Sequence, residues 1–402
     1  MNVAVTSPQS AVSGAELVAK ARELVPFLRK SADETNAIRR PTEEVRLRLK
    51  AAGLSRLWQP KRYGGAEARM RDGVDLLCEV GRGCGSTAWI VVQNVLHNLM
   101  LANWSEKAQD IIWGETPDAL VSGILIPGIG KATKVEGGYK LSGRWPFVSG
   151  VEIAEWVIFT GDYKKENGEE EELHFVVPKR QVTVHDTWYT IGLRGSSSHD
   201  VSISDLFVPE YMSVSMDDLK GEGRSPGSKI NTGAQYRIPP YSIFGCYIGS
   251  AALGIAEAAV EYYVANARKR AATVSGAGIS SYTTQQVKVA EAQSAVIAAR
   301  QIMYSVVDEA ESLANRVVKT TVEDRTRFRA LATYAGKLSS SAVNLVLEAG
   351  GGGVIYDRNP IARCVSDTAV ANRHITQNWD VNASTYGRVL LGLPSENPML
   401  DD

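Results

Sequence analysis

Apolar residues recur at three- and four-residue spacing from residue 12 to about 115, in stretches such as 15–28 and 43–54. This is the pattern of helices that each bury one stripe. From about 119 the period shortens to two, and residues 139–141, 154–159, 173–177, 182–188 and 201–208 read as strands. Gly137-Gly138 supplies the positive φ that a two-residue hairpin loop needs. The charged run KKENGEEEE at 164–172 reads as a solvated hairpin tip rather than an acidic ligand site. A stretch containing Gly, Ser and Pro at 221–233 marks a boundary, or a loop over a site. After Pro240 the helical period returns in four long segments, about 241–271, 284–315, 323–348 and 367–391, whose short connections predict an antiparallel bundle. The chain is thus expected to be mainly α, in three parts: a helical domain over 1–118, a β domain over 119–232 and a four-helix bundle over 233–402.

Charge narrows the partners. The 402 residues carry 44 Lys and Arg against 45 Asp and Glu, a formal net charge of −1. This excludes the basic excess that displaces phosphate counterions and the polybasic face that adsorbs to anionic membranes, so neither a nucleic-acid nor a membrane partner is expected. The longest apolar runs, such as 88–92, fall far short of the ~20 residues that span a bilayer. The N-terminus has no basic start followed by an apolar core, so a cytoplasmic protein is expected. Cys78, Cys84, Cys246 and Cys364 are too scattered for a zinc pattern and read as buried small hydrophobes; no metal site is expected.

Candidate chemistry is sparse. Gly81-Arg82-Gly83-Cys84-Gly85 lies between helices and Gly350–Gly353 follows a helix where a strand should precede, so neither is a dinucleotide fingerprint. The tetraglycine is either a helix C-cap with a tight turn or a bare backbone that a cofactor phosphate approaches. Of the five histidines, His174 and His185 read as surface or packing residues, and His199 is ambiguous. His97 shares a helix face with Trp89 and Gln93 at four-residue steps, which is compatible with a core residue or a site residue. His374 sits in Asn372-Arg373-His374-Ile375-Thr376-Gln377-Asn378-Trp379-Asp380, a polar density hard to bury unless it lines a cavity. Ser149 falls in a strand and turn and is either a turn hydroxyl or a site residue. No G-x-S-x-G elbow and no HExxH accompanies them, so hydrolase readings have no support.

Three motifs in order carry a resemblance: Leu141-Ser142-Gly143-Arg144-Trp145-Pro146-Phe147-Val148-Ser149-Gly150; Gly192-Leu193-Arg194-Gly195-Ser196-Ser197-Ser198-His199-Asp200-Val201 leading into Val208-Pro209; and the glycine cluster with Pro360, Arg363 and Asp367. Over nearly its whole length the chain resembles the acyl-CoA dehydrogenase superfamily. The resemblance implies a helical N-terminal domain, a central β-barrel and a C-terminal four-helix bundle. The dehydrogenases' catalytic glutamate has no counterpart in residues 373–379, and their T-E-P-G-A-G-S-D motif is replaced by Ser122-Gly123-Ile124-Leu125-Ile126-Pro127-Gly128. The sequence is instead similar to the oxygenase components of two-component flavin-dependent monooxygenases, such as the 4-hydroxyphenylacetate hydroxylases.

That resemblance implies reduced FMN or FAD, diffusible and not covalently bound, supplied by a separate NAD(P)H:flavin reductase. It further implies O2, a small phenolic or indolic substrate, a flavin hydroperoxide intermediate and a homotetramer. Ser149 corresponds to the hydroxyl near flavin N5, and His374 to the donor beside the peroxide. His97 fits as the base toward an acidic substrate proton, with Ser122 as its partner. Trp89, walling the same pocket, is counted with Trp145, Arg194 and Ser196 among the flavin contacts. Arg268 or Arg270 and Gly351, Gly352 and Gly353 reach phosphate from a neighbouring subunit, and Arg237 contacts flavin or an anionic substrate. The alternatives are an acyl-CoA dehydrogenase with a displaced base, an N- or S-oxygenase of the same fold, and a non-catalytic scaffold.

Overall fold

A computed structural model describes residues 12–114, 116–220 and 223–401. The N-terminal stretch 1–11, read above for a targeting signal, and Gly221 and Glu222 of the boundary stretch lie outside the described residues. Five helices open the chain: α1 (Gly14–Ile38), α2 (Glu43–Ala52), α3 (Met70–Gly83), α4 (Gly85–Leu101) and α5 (Glu106–Trp113). The start of α1 is written locally. Ser13 accepts from the Glu16 amide while the Glu16 carboxylate accepts from the Ser13 amide, a reciprocal cap for two otherwise unpaired donors. α4 is apolar nearly all round, which suits a helix enclosed on every side.

Eight strands come next: β1 (Val121–Ile124), β2 (Lys131–Val135), β3 (Gly138–Val148), β4 (Trp156–Lys164), β5 (Glu170–Pro178), β6 (Thr183–His185), β7 (His199–Pro209) and β8 (Ser213–Ser215). They hydrogen-bond in the order β6-β7-β3-β2-β4-β5-β8, with β1 parallel to β4. The end strands β6 and β8 are three residues each and do not pair with one another, so the sheet is open where a closed barrel was expected. The first hairpin turn is Glu136-Gly137, because Gly138 already pairs with Val135 as the first residue of β3; the expected turn is displaced by one residue. The charged run at 164–172 is the β4–β5 hairpin tip.

The C-terminal helices are α6 (Pro240–Ala267), α7 (Thr283–Asn315), α8 (Val322–Gly350), α9 (Pro360–Ala371) and α10 (Trp379–Leu390). The expected fourth bundle helix is broken in two. Its polar middle turns out of helical geometry and forms a short 3-10 turn at Ile375–Gln377, capped by the His374 side chain. α6 is by length and composition able to cross a membrane, which no apolar run suggested beforehand, and it is buried within the protein. It packs on α3 through Tyr247, whose hydroxyl donates to Met70 O (3.1 Å) and whose ring lies 4.6 Å from that of Trp58. All four cysteines are free and buried.

Candidate active site

The site is assembled where α4 crosses the ends of β1 and β3. The β3–β7 ladder loses register between Trp145 and Val148, a bulge that bends the strand and re-aims the residues beyond it. Inside it Phe147 adopts φ +61°, a costly conformation for a bulky residue, and stays half exposed at 56%. Beyond the bulge Ser149 turns toward α4. Its Oγ accepts from Trp89 Nε1 (3.0 Å) and from Ser198 Oγ (2.8 Å), and Ser198 shares a further bond with Ser196 Oγ (2.7 Å). Hydroxyl protons rotate, so this chain can also run outward from Ser149 and leave a lone pair on its Oγ.

The loop carrying the other serines is under backbone strain. Leu193 (φ +49°) and Ser197 (φ +46°) are both left-handed without being glycine. The buried Asp367 of α9 holds this loop by accepting the Leu193 amide at 2.6 Å. Burial pushes the Asp367 carboxyl up to about 6, against the opposing pull of that amide and of Arg363. Gly150 N in turn donates to Ser196 O (2.8 Å), pinning the Ser149 turn to the same loop.

Two neutral imidazoles present opposite faces. His97 is 2% exposed, and burial holds its pKa down at about 4. Its Nδ1 makes a long bond to Val121 O (3.4 Å); a carbonyl only accepts, so Nδ1 carries the proton and Nε2 keeps a bare lone pair. Nε2 lies against Gly123, where a methyl group would stand 2.9 Å away, so only glycine leaves that nitrogen its place. His374 is the reverse case. Its Nδ1 accepts from the Thr376 amide (3.3 Å) and hydroxyl (2.9 Å), so the proton sits on Nε2. Burial, and then the charge of Arg329, keep it uncharged with a pKa of about 4. The His374 ring meets Trp89 edge-on at 5.8 Å.

Gln93 lies between Trp89 and His97 on the same stripe. It is the one residue of α4 that is not buried, and its amide has no hydrogen-bond partner among the described residues. The stripe Trp89-Gln93-His97 thus comes nearest to solvent at Gln93, with Ser149 and His374 at its Trp89 end.

The remaining expected residues are placed differently. Ser122 donates to Ser149 O (2.8 Å) and has no bond to His97, so it supports the Ser149 turn. Trp145 is fully buried in the sheet, its Nε1 donating to Thr160 O (3.0 Å) and its ring against Phe159; the bulge turns Phe147 outward instead, so Trp145 is a core residue apart from the serine cluster. Arg194 bonds the carbonyls of Thr190 (3.2 Å) and Asn36 (3.4 Å) beside the buried Ser196. Arg270 donates to Gly350 O (2.9 Å), so it and the glycine turn are brought together, with Gly351–Gly353 exposed and Arg268 exposed nearby in sequence. Among the described residues of one chain, no hydrogen bond joins this group to Ser149. Arg237 lines a cavity of about 640 Å³ with Lys220, Tyr236, Val317 and Thr320, which contains none of His97, Ser122, Ser149 or His374.

Sequence reasoning missed Phe147, Gln93, Ser198 and Arg329 as parts of this region. The bulge that exposes Phe147 has no sequence signal of its own, whereas Gln93, polar within an apolar helix, had one. His174 is buried, not a surface residue, and its Nε2 lies 2.6 Å from Tyr241 Oη. His199 Nδ1 accepts the amides of Thr187 and Trp188, a structural role.

The helical domains on either side of an open sheet define a class, and family comparison agrees. The N-terminal-domain model of acyl-CoA dehydrogenase matches residues 16–113 and the C-terminal-domain model matches 246–379. The chain belongs to the acyl-CoA dehydrogenase superfamily. Within it, the chain is 29% identical over 391 residues to the oxygenase component of p-hydroxyphenylacetate 3-hydroxylase from Acinetobacter baumannii, covering 97% of this chain and 92% of that one. The 3-HSA hydroxylase structure from Rhodococcus sp. RHA1 superposes with a TM-score of 0.90 at 28% identity, covering 96% and 98% of the two chains. XiaF from Streptomyces sp., in complex with FADH2 and glycerol, gives 0.87 at 26% identity, covering 96% and 97%.

Proposed function

We propose that this chain is the oxygenase component of a two-component flavin-dependent monooxygenase, hydroxylating a small phenolic or indolic aromatic with O2 and with reduced FMN or FAD from a separate NAD(P)H:flavin reductase. The observation that carries the reading is the pair of neutral histidines of opposite tautomer at the two ends of one stripe, with a clustered serine hydroxyl beside His374 at its Trp89 end and no carboxylate among their hydrogen-bond partners. The residues fit a reduced isoalloxazine: Ser149 Oγ has a lone pair for a ring N–H, Phe147 offers an outward aromatic face, and side chains at Gly352 and Gly353 would meet nothing within 4 Å, leaving open backbone. When bound, reduced flavin supplies the electrons that activate dioxygen.

In this reading Ser149 holds the ring N–H and, with Trp89 and the buried serines, excludes water that would otherwise release hydrogen peroxide. His97 Nε2 takes the acidic proton of the guest, enriching its ring carbons toward an electrophilic oxygen, help that typically contributes ~10²–10⁴-fold. His374 Nε2–H donates to the oxygen nearest it. Gln93 contacts the guest between them, and Ser122 keeps the Ser149 turn in place. Arg268, Arg270 and Gly351–Gly353 serve the flavin phosphate of a neighbouring subunit in a homotetramer. The three-part division at 118 and 232, a barrel-like central domain and a cytoplasmic location belong to the same proposal.

The test mixes anaerobic protein and reduced flavin with oxygenated buffer containing phenols or indoles. Hydroxylated product per flavin oxidised should approach unity, and Ser149→Ala should divert the flow to hydrogen peroxide. Peroxide release at the rate of free flavin with no product from any aromatic would overturn the reading. Flavin reduction by an acyl thioester would favour a dehydrogenase.

A further inference from the structure

Arg329 of α8 is 3% exposed and has no acidic partner among the described residues. Burying a guanidinium without a carboxylate is costly, and burial alone lowers its pKa to about 10. Its Nε donates to Asn382 Oδ1 (3.1 Å). Asn382 passes that bond on, donating from Nδ2 to Ile375 O (3.0 Å) and Asn378 O (2.8 Å), the two ends of the turn that His374 caps. One helical turn along α8, Thr333 Oγ1 donates to Thr376 O (3.0 Å). The segment that presents His374 is therefore held at three carbonyls, one by Thr333 of α8 and two by Asn382 of α10, which Arg329 of α8 bonds in turn.

Arg329 is the charge that bears on that imidazole; of the other cations nearby, Arg325 of α8 lies one turn before Arg329, Lys337 of α8 lies over the Trp379 ring and Arg363 of α9 pairs with Asp33. α4 brings only His97, itself neutral. The N-terminal half of α6 brings Tyr241, Cys246 and Tyr247, whose ionisation burial opposes, and its first carboxylate is Glu257. α9 spends Asp367 on Leu193 N. Arg373 and Asp380, on His374's own segment, are exposed and screened by solvent.

We propose that Arg329 is a positioning residue for His374: through Asn382 it sets the turn, and its unneutralised charge adds to burial in keeping the imidazole a neutral Nε2–H donor. A carboxylate at its side would cancel the field, which accounts for the missing partner. The consequence deepens the function proposed above and rests on His374's place in it, but the device itself is measurable without turnover.

With only five histidines in the chain, protein labelled with 13C at histidine Cε1 allows His374 to be titrated by NMR in the flavin-free state, its signal assigned from His374→Asn. In Arg329→Met, which replaces a buried charge by an apolar chain of similar length, the His374 midpoint should rise by about one pH unit or more. Arg329→Lys keeps the charge without the planar donor, so His374 should stay near its parent midpoint while the turn loosens. In turnover, peroxide leakage in Arg329→Met should become pH-dependent across the new midpoint, where the parent is flat. The proposal is overturned if His374 titrates alike in parent and Arg329→Met, or if Arg329→Lys raises the midpoint as much as Arg329→Met does. If hydroxylation fails altogether while the midpoints move as stated, the assignment of Arg329 stands and the function reading falls.

Discussion

His97 shows how a single residue's surroundings decide its chemistry. In water an imidazole is half protonated near pH 6.5, but burial holds this one to about 4, so at neutral pH it is a base and not an acid. The linkage has a definite sign: a histidine whose folded pKa is depressed contributes stability that is fully present above about 6.5 and is lost as pH falls toward 4. A shift of this size corresponds to about 3 kcal/mol. Replacing His97 with Gln should therefore flatten the fall in stability between pH 7.5 and 4.5, read from urea midpoints. The acid limb of hydroxylation in the parent should lie near pH 4 to 5; a limb at 6.5 would show that the ring is solvated in the working protein.

At the scale of elements, the strained 193–198 loop and the β3 bulge place groups that regular strands would not. The loop holds left-handed Leu193 and Ser197 because Asp367 accepts the Leu193 amide from α9. Asp367→Ala should cost about 2 kcal/mol, the range for orphaning a buried donor, and should raise peroxide release as Ser196 and Ser198 drift from Ser149. Asp367→Asn keeps an acceptor and should restore most of both. Its pH behaviour has the opposite sign to that of His97. Because the folded pKa of Asp367 is raised to about 6, its contribution is present below about 4 and lost as pH rises through 6. The Asn variant should thus gain on the parent above pH 6, in the same urea measurement.

Across the whole molecule, charge networks tie the N-terminal helices to the bundle. Arg300 of α7 reaches Asp75 of α3 (2.9 Å) and Glu257 of α6 (3.0 Å). Arg22, Glu79, Arg82, Glu261 and Arg29 link α1, α3 and α6. These groups are partly shielded, so removing one partner leaves like charges facing each other. Arg300→Met should destabilise by about 3 kcal/mol, and adding Glu257→Gln should recover part of it; an Arg300→Met variant as stable as its parent would mean the network is solvent-screened. The same packing buries α4 everywhere but at Gln93.

Much of this was legible in the one-dimensional pattern because its causes are local. Helical and strand periods, the Ser13–Glu16 cap, the order of the three parts and the lack of a carboxylate in residues 373–379 all depend on neighbours within a few positions. Ser149 and His374 stood out as candidates through motifs, and His97 through the helix face it shares with Trp89 and Gln93. Their protonation was not legible: the His97 tautomer is set by a carbonyl 24 residues away and that of His374 by a turn inside an expected helix. Trp145 and Phe147, which a regular strand would put on one face, are separated because a bulge between Trp145 and Val148 re-aims the strand, an outcome settled by pairing with β7 and not by composition. Arg329 drew no notice in the sequence, because only packing strips it of water and of any acid among the described residues. What the chain alone determined is which groups it owns and how they are spaced; burial, register and partners far along the chain decided which of them carry a proton, a charge or an open face, since each of those depends on the local dielectric and on contacts that only folding brings together.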